Sequence, residues 1–250
     1  MLKANLLFAF MGSLAAIPAA QAEGHGHWSY EGHGSPSHWA ELDEHFETCK
    51  LGRHQSPINI VTRKTRKSAA HSLNFAYTAS SGEVSNNGHT VQVSLPGGSA
   101  VEIDGSRYEL LQFHFHTPSE EKIDGKAYPL VAHLVHKNGE GKLAVVALLF
   151  KEGRENQALK SLFAHLPEKE GENLTLESPI DTAALLPQKQ GYYAFQGSLT
   201  TPPCSEEVSW QVLKTPVEIS AGQLAAFRKL YKMNARPVQP LHSRIVESIG

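Results

Sequence analysis

The chain has 250 residues, and its 23 Lys and Arg nearly balance its 25 Asp and Glu, for a formal net charge of −2. This balance, with only short mixed runs of charge such as residues 63–67, excludes the strongly basic surface of a nucleic-acid-binding protein. No linker, low-complexity tract or repeat divides the chain, so a single large domain is expected.

The first residues have the pattern of a cleaved export signal. Lys3 supplies a positive charge, residues 6–16 form a short apolar run, and Ala20-Gln21-Ala22 fits the small-x-small cleavage rule. We expect cleavage after Ala22, which leaves a mature domain of residues 23–250 in the periplasm or outside the cell. The apolar run is too short for a membrane anchor, so none is expected after cleavage.

Cys49 and Cys204 are the only cysteines of the chain. An oxidising compartment favours a disulfide between them, and the alternative is a pair of buried free thiols. Closing a loop of about 155 residues would stabilise the fold by at most roughly 5 kcal/mol, because it reduces the entropy of the unfolded chain.

The hydrophobic pattern of the mature chain predicts mostly strands. The run from Leu143 to Phe150 shows no alternation with polar residues, which is typical of a central strand buried on both faces. The predicted strands are residues 73–77, 90–95, 100–104, 107–116, 130–136, 142–150 and 208–213.

Helices are fewer. One is predicted at residues 156–166, where apolar residues recur at helical spacing before Pro167. Another is predicted to begin after Ser220, with Gln223 completing a capping box, and to run to about residue 232. The predicted fold class is therefore α+β, a sheet-dominated single domain with peripheral helices.

The segment from Gln112 to His116 carries the clearest chemical signal. A strand sends residues i and i+2 to the same face, so His114 and His116 point together. Asp124-Gly125 indicates a hairpin, and a second strand beyond it brings His133 opposite the first pair. Three imidazoles without a fourth protein ligand are typical of a zinc site that keeps one position open for water.

The alternative is that these are structural histidines. The chain has 14 of them, and a single His among apolar neighbours is usually a satisfied core residue. His136 faces away from His133 on a strand and is given that interpretation. Burying two imidazoles without partners costs free energy, so the pair in the first strand favours a metal site.

Several further segments, taken in order with the His114 strand, closely resemble the α-class carbonic anhydrases, in particular their exported bacterial members. The resemblance covers residues 25–247 and implies a mostly antiparallel, twisted sheet of about ten strands, with a conical cleft that ends at zinc. The matching segments are His27-Trp28-Ser29-Tyr30, Gln55-Ser56-Pro57-Ile58-Asn59-Ile60, Asn86-Asn87-Gly88-His89, His116-Thr117-Pro118-Ser119-Glu120, Gly197-Ser198-Leu199-Thr200-Thr201-Pro202-Pro203-Cys204 and Arg236-Pro237-Val238-Gln239-Pro240-Leu241.

The resemblance makes His114, His116 and His133 the ligands of a Zn²⁺ ion. It implies reversible hydration of carbon dioxide, a small-molecule substrate, to bicarbonate and a proton by attack of zinc hydroxide. A neutral three-His shell leaves a dipositive ion, which stabilises hydroxide over water.

Other residues match the family's catalytic groups. Glu120 and Thr200 match a pair that orients the hydroxide, because an ionised carboxylate only accepts hydrogen bonds and obliges the Thr200 hydroxyl to donate. His89 matches the proton shuttle, since imidazole takes and releases protons near neutrality. Tyr30 matches a cleft residue that orders the intervening water. Without the resemblance, Glu120 would be interpreted as an exposed acid, Thr200 as a turn residue and His89 as a surface histidine.

Carbon dioxide is apolar and needs a dry wall beside the metal. The residues that match this wall would otherwise be interpreted as core, and Thr201 lies on its polar side. The matching pocket residues are Val135, Val145, Leu199, Thr201, Val208 and Trp210.

The residues that support the ligands match the family less well. Gln112 matches the residue that orients the first ligand. Where the family usually has a Glu two residues before the third ligand, this chain has Val131, so His133 must find a carbonyl, a water or another acceptor. We expect weaker zinc retention, because such partners typically affect metal affinity or activity 10- to 100-fold.

One feature falls outside this pattern. After cleavage the chain would start Glu23-Gly24-His25, whose amine, amides and imidazole suit Cu(II) or Ni(II), although a disordered polar terminus is the favoured interpretation.

The sequence leaves open whether the protein forms a homodimer. The alternative functions are a non-catalytic carbonic-anhydrase-like binding domain and a histidine-rich zinc-buffering protein; retention of all the zinc histidines, Glu120, Thr200 and His89 favours the enzyme.

Overall fold

A large twisted β-sheet forms the body of the protein in this computed structural model, which describes residues 26–250. The predicted export signal and the Glu23-Gly24-His25 motif lie outside the described residues. Among the helices of residues 26–250, none is both long and apolar enough to cross a membrane.

The strands are short except for those at the centre of the sheet. They are β1 (Asn59–Ile60), β2 (Arg66–Ser68), β3 (Leu73–Ala76), β4 (Ala79–Ser80), β5 (Glu83–Asn86), β6 (Val91–Ser94), β7 (Ala100–Ile103), β8 (Ser106–His116), β9 (Lys122–Ile123), β10 (Lys126–Ala127), β11 (Leu130–Asn138), β12 (Leu143–Glu152), β13 (Asn173–Thr175), β14 (Ile180–Asp181), β15 (Tyr192–Ser198), β16 (Glu206–Leu213), β17 (Val217–Ile219) and β18 (Glu247–Ile249).

Helical segments lie at the periphery. The α-helices are α1 (Trp39–Leu42), α2 (Thr48–Leu51), α3 (Lys160–Ala164) and α4 (Ala221–Leu230), with 3₁₀ turns at Gly32–Gly34, Glu44–Phe46, Thr62–Lys64 and Ala183–Leu185.

The main sheet has 13 strands, in the order β13-β5-β6-β8-β11-β12-β16-β15-β18-β2, with β7 on β8, β3 on β7 and β17 on β12. It is a mixed sheet, because β12 is parallel to both β16 and β17, and β18 is parallel to β2. The expectation of a mostly antiparallel sheet of about ten strands is therefore corrected. Parallel pairs need a crossover connection, and the long excursion between β12 and β16 supplies one.

The sequence predictions of the individual strands are confirmed with small shifts of their ends. β12 is buried without interruption from Ala144 to Phe150, as expected of a central strand. Asp124 and Gly125 form the turn of the β9–β10 hairpin, in which both residues have positive φ. The sheet-dominated α+β class is confirmed.

The two predicted helices have different outcomes. α4 begins after Ser220 with the full capping box to Gln223, as predicted. The other helix is restricted to Lys160–Ala164, because Asn156 is engaged elsewhere. Its backbone N–H donates to Gln223 Oε1 at 2.9 Å, and its side-chain Nδ2 donates to the Glu218 carbonyl at 3.1 Å. These bonds tie the start of the segment to β17 and α4 instead of extending α3.

The sheet separates the two largest hydrophobic clusters of the described residues. Along β11, Leu130, Ala132 and Leu134 pack on the side that α3 and α4 cover. Val131 and Val135 pack on the opposite side. Because side chains alternate along a strand, His133 faces the same side as these two valines. This second side carries the candidate site.

The disulfide between Cys49 and Cys204 is confirmed, with a Cα–Cα distance of 5.0 Å. It joins α2 to the loop between β15 and β16, and both cysteines pack with Trp39 and Phe46 in a small cluster. The bond therefore fixes the base of the loop that carries Thr200.

Replacing both cysteines with serine should destabilise the protein without changing its fold. The bond spans a sequence separation of 155 residues, so its loss should lower the free energy of unfolding by several kcal/mol, with roughly 5 kcal/mol as the upper value. Urea unfolding of the double serine variant and of the oxidised wild type measures the difference. Equal midpoints would contradict an entropic role for the bond.

His71 should make stability depend on pH. Its two ring nitrogens face Asp104 and Glu247, and Glu247 also pairs with Arg66. The hydrogen bond to Asp104 is the main cause that raises the pKa of His71. Because the folded state holds this proton more tightly, the stabilisation is present below the unfolded pKa and is lost as pH rises through the folded pKa.

His71→Ala should therefore cost up to about 1 kcal/mol at about pH 6 and less at about pH 9. Urea unfolding at the two pH values measures it, with the exposed His54→Ala as control. A cost for His71→Ala that grows with pH would contradict the assignment.

Candidate metal centre and cleft

The centre is built by two adjacent antiparallel strands. β8 supplies His114 and His116, and β11 supplies His133, which lies directly opposite His114 in the register. One ring nitrogen of each residue lies within 4.8 Å of the others. His116 and His133 are almost fully buried. The structure thus brings together the three histidines that the sequence singled out.

Two of the rings use Nδ1 for hydrogen bonds to acceptors. His114 Nδ1 lies 2.8 Å from Gln112 Oε1, and His116 Nδ1 lies 2.7 Å from the carbonyl oxygen of Asn234. A ring nitrogen that donates its proton leaves the other nitrogen with a free lone pair. Nε2 of both rings is therefore the candidate ligand atom.

His133 uses the opposite nitrogen. Its Nε2 lies 3.0 and 3.2 Å from the two carboxylate oxygens of Glu121, so Nδ1 is the free atom. Glu121 is fully buried, immediately before β9. Because Val131 cannot accept a hydrogen bond, the sequence did not show which group accepts the N–H of His133. The acceptor is the carboxylate of Glu121, which comes from a different segment. The sequence offered a single clue, the acid that follows Glu120, which alone is typical of a surface position.

The donor set fits a metal ion that prefers nitrogen ligands. Three imidazoles each present one nitrogen toward a common point, and His116 Nε2 is buried without a hydrogen-bond partner among the described residues. Buried polar atoms normally have a partner, and a coordinated ion would supply one here. Tetrahedral zinc with three histidines and one open position matches this arrangement.

Burial keeps two of the imidazoles in the form that binds a metal. Removal from water lowers the pKa of His114 to about 3 and lowers the pKa of His116 as well. Burial also acts to lower the pKa of His133, but Glu121 and Glu120 outweigh it, so that the pKa is raised. The carboxylates therefore concentrate negative charge beside the third ring.

Glu120 and Thr200 lie together next to the histidines. Oε1 of Glu120 accepts the backbone N–H of Arg236 at 2.7 Å, while Oε2 lies 3.6 Å from His116 Nε2 and 3.7 Å from His133 Nδ1. Burial raises the pKa of Glu120 to about 7, and hydrogen bonding with Thr200 acts to lower it. Nothing in the sequence indicated that Arg236 holds Glu120 in place, apart from the family segment in which Arg236 lies.

His89 lies in the turn between β5 and β6. Its ring stacks on Trp28 with centroids 3.6 Å apart, and the ring of His27 is 6.3 Å away. Asn87 Oδ1 accepts the His89 backbone N–H at 3.0 Å, and Gly88 adopts the positive φ that this turn requires. Partial burial, with a smaller effect of His27, lowers the pKa of His89.

Asn234 links this turn to the centre. Its side-chain Nδ2 donates to the His89 carbonyl at 3.0 Å, while its own carbonyl accepts His116 Nδ1. Tyr30, which the sequence placed in the cleft, has a buried hydroxyl without a hydrogen-bond partner among the described residues. Burial is the main cause that raises the pKa of Tyr30.

An apolar wall lies beside the histidines. The indole ring of Trp210 makes an edge contact with His133 at a centroid distance of 4.9 Å, and its Nε1 donates to the Ser198 carbonyl. Thr201, the expected polar neighbour, is half-buried in the same loop as Leu199. The apolar residues that pack in this cluster include Val135, Val145, Leu199, Val208 and Trp210.

Comparison with known proteins agrees with this geometry. A family model described as eukaryotic-type carbonic anhydrase matches residues 34–249. A carbonic anhydrase of Klebsiella pneumoniae is 48% identical over 224 residues, which are 88% of this chain and 90% of the relative. One from Pectobacterium carotovorum is 42% identical over 246 residues, 98% and 99% of the two chains.

The chain belongs to the α-carbonic anhydrase family. A solved complex of the α-carbonic anhydrase from Thermovibrio ammonificans with the inhibitor sulfanilamide superposes with a TM-score of 0.88 at 44% identity, covering 90% of this chain and 100% of that one. Carbonic anhydrases are lyases, so the expected enzyme class is confirmed, and the alternative of a non-catalytic binding domain is not favoured.

Proposed function

We propose that this α-carbonic anhydrase family member catalyses the zinc-dependent, reversible hydration of carbon dioxide to bicarbonate and a proton. The observation that carries the proposal is a group of three imidazole nitrogens within 4.8 Å of one another, one of them a buried nitrogen that has no hydrogen-bond partner among residues 26–250. A three-His set without a fourth protein ligand favours a catalytic zinc site over a structural one.

The ligands would be His114 and His116 through Nε2 and His133 through Nδ1. A bound zinc ion would supply a strong nucleophile near neutral pH, because it lowers the pKa of a coordinated water. The protein fixes the three rings through Gln112 and the other acceptors described above, so that the ligand atoms are already aimed before an ion arrives.

Thr200 and Glu120 would orient the attacking oxygen. Oε1 of Glu120 accepts the Arg236 N–H, and the buried Oε2 has no hydrogen-bond partner among residues 26–250, so Oε2 would be the atom that accepts from the Thr200 hydroxyl. Once its proton is committed to Glu120, the Thr200 oxygen acts only as an acceptor for the reacting water. This chain of bonds would direct a lone pair of the attacking oxygen toward the substrate.

The apolar cluster would hold the carbon dioxide. Trp210, Val135 and Val145 would line the side of the centre next to His133. The two valines carry no polar group, and the indole N–H of Trp210 is already donated to the Ser198 carbonyl. An apolar substrate is favoured there by displacement of water, while charged bicarbonate is not. The wall would therefore support both substrate binding and product release.

His89 would transfer the proton out of the cleft, with Tyr30 ordering the water between. Partial burial lowers the pKa of His89, so the neutral, proton-accepting form predominates at neutral pH. Its position on Trp28 leaves the ring partly exposed and able to pass the proton on to buffer.

The environment of the enzyme would be the periplasm or the exterior of the cell. The disulfide supports this placement, because such bonds persist in oxidising compartments. The mature enzyme would comprise residues 23–250 as one catalytic domain.

Carbon dioxide hydration should depend entirely on zinc. Stopped-flow measurements on zinc-loaded, chelator-stripped and zinc-reconstituted protein should show activity that disappears with the metal and returns with it, because the attacking water would be activated by the metal. Protein that retains one zinc per chain and lacks activity would instead favour a binding domain.

Removing the imidazole of His89 should slow proton export but not the attack on carbon dioxide. In weakly buffered solution His89→Ala should lower kcat on the order of 100-fold and leave kcat/KM nearly unchanged, because the hydration step precedes proton export. Added imidazole buffer should restore kcat. His165→Ala, an exposed histidine after α3, is the control. An equal loss in kcat/KM would contradict a shuttle role.

A further inference from the structure

Glu121 is a fully buried carboxylate whose hydrogen-bond partner is a candidate metal ligand. Among residues 26–250 its side chain is hydrogen-bonded to His133, and its two oxygens lie 3.0 and 3.2 Å from Nε2 of that ring. Burying a carboxylate costs free energy unless it is well paired. A residue kept at such a cost has a task that an apolar residue in the same place would not perform.

In the family pattern, a Glu two residues before the third ligand accepts this N–H bond, but this chain has Val131 there. Val131 lies two residues before His133, on the same face of β11, and packs in the apolar cluster with Ile58 and Ile60. It has no group that can accept the N–H of His133. The acceptor comes instead from the segment before β9, next to Glu120.

We propose that Glu121 is the positioning residue of His133: by accepting the Nε2–H bond, it holds the ring in the tautomer and orientation that leave Nδ1 free for the metal. The proposal rests on the proposed function in naming zinc as that metal. It also removes the reason for expecting weak zinc retention, because the missing carboxylate has been replaced from another part of the chain.

The geometry favours a single ring orientation. The nearly equal distances from Nε2 to the two carboxylate oxygens centre the N–H on the carboxylate. The edge contact with Trp210 and the neighbouring ring of His116, at 4.7 Å, restrict rotation on the other sides. A carboxylate that accepts from an imidazole ligand also increases electron density on the ligating nitrogen, which strengthens the metal bond.

Positions 121 and 131 should therefore be alternatives. His133 has one Nε2–H to donate, so a second carboxylate from position 131 would be buried without a partner and close to the charge of Glu121. Val131→Glu alone should bring no gain in zinc affinity and should destabilise the protein. The same substitution should be favourable once Glu121 has been removed.

The test is the zinc dissociation constant of the whole mature protein, measured by chelator competition at fixed pH, for Glu121→Ala, Val131→Glu and the double variant. We expect Glu121→Ala to weaken zinc binding about 10- to 100-fold and the double variant to regain most of that loss. Glu140→Ala, at an exposed site in the β11–β12 turn, is the control. The visible spectrum of the Co(II) protein should change with Glu121→Ala and recover in the double variant.

Zinc affinity of Glu121→Ala within about threefold of wild type, or a loss that Val131→Glu deepens, would overturn the proposal. The thermal midpoint of each metal-free protein separates loss of folding from loss of metal. If Glu121→Ala does not fold, Glu121→Leu, which keeps most of the volume but has no acceptor for the Nε2–H, should show the same weakening. These readouts do not use turnover, so a wild-type protein that binds zinc but fails to hydrate carbon dioxide would refute the proposed function and leave this result standing.

Discussion

The register between β8 and β11 is the constraint on which the rest of the structure depends. It places His133 opposite His114, and the two-residue period of each strand then decides which side chains accompany them. A slip of one residue would turn His133 into the helix-covered core and bring Ala132 or Leu134 to the cleft. The buried strand β12 pairs with β11 from Leu130 to Lys137 and holds it in place from the other side. The centre is precise because its rings stand on two neighbouring strands in the middle of the sheet, and β11 is buried from Leu130 to His136.

Around these two strands, the polar groups of the site come from distant parts of the chain and form hydrogen bonds with one another. Arg236 illustrates the arrangement: its backbone anchors Glu120, and its guanidinium donates to the carbonyls of Ser56 and Cys49. The C-terminal segment thereby connects Glu120 to the disulfide-bonded N-terminal region. In a low-dielectric interior, each of these bonds is stronger than it would be in water, and each unpaired group would be more costly.

Local patterns in the sequence were sufficient for the central strands, the α4 cap and the histidine cluster, because each depends on residues that are near neighbours in the chain. β15 was missed, since Tyr192 and Tyr193 stand side by side and Gly197 interrupts the pattern, so no alternation marks the strand. The parallel pairing of β12 with β16 could not be predicted either, because register between distant strands is set by tertiary packing. The pairing of Glu121 with His133 could not be predicted for the same reason, because the two residues are adjacent only after the segment at β9 has packed against β11.

Asn234 gives the site a shared point of reference. Its carbonyl fixes the ring of His116, its amide fixes the turn of His89, and its Oδ1 accepts the backbone N–H of Thr117. The metal centre, where the reaction would release a proton, and His89, which would receive it, are therefore both hydrogen-bonded to the same residue. Movements of the turn relative to the sheet could not lengthen the path between them without breaking bonds to the backbone carbonyl or the side chain of this one residue. The length of a proton path from the centre to His89 would thus be fixed by the scaffold.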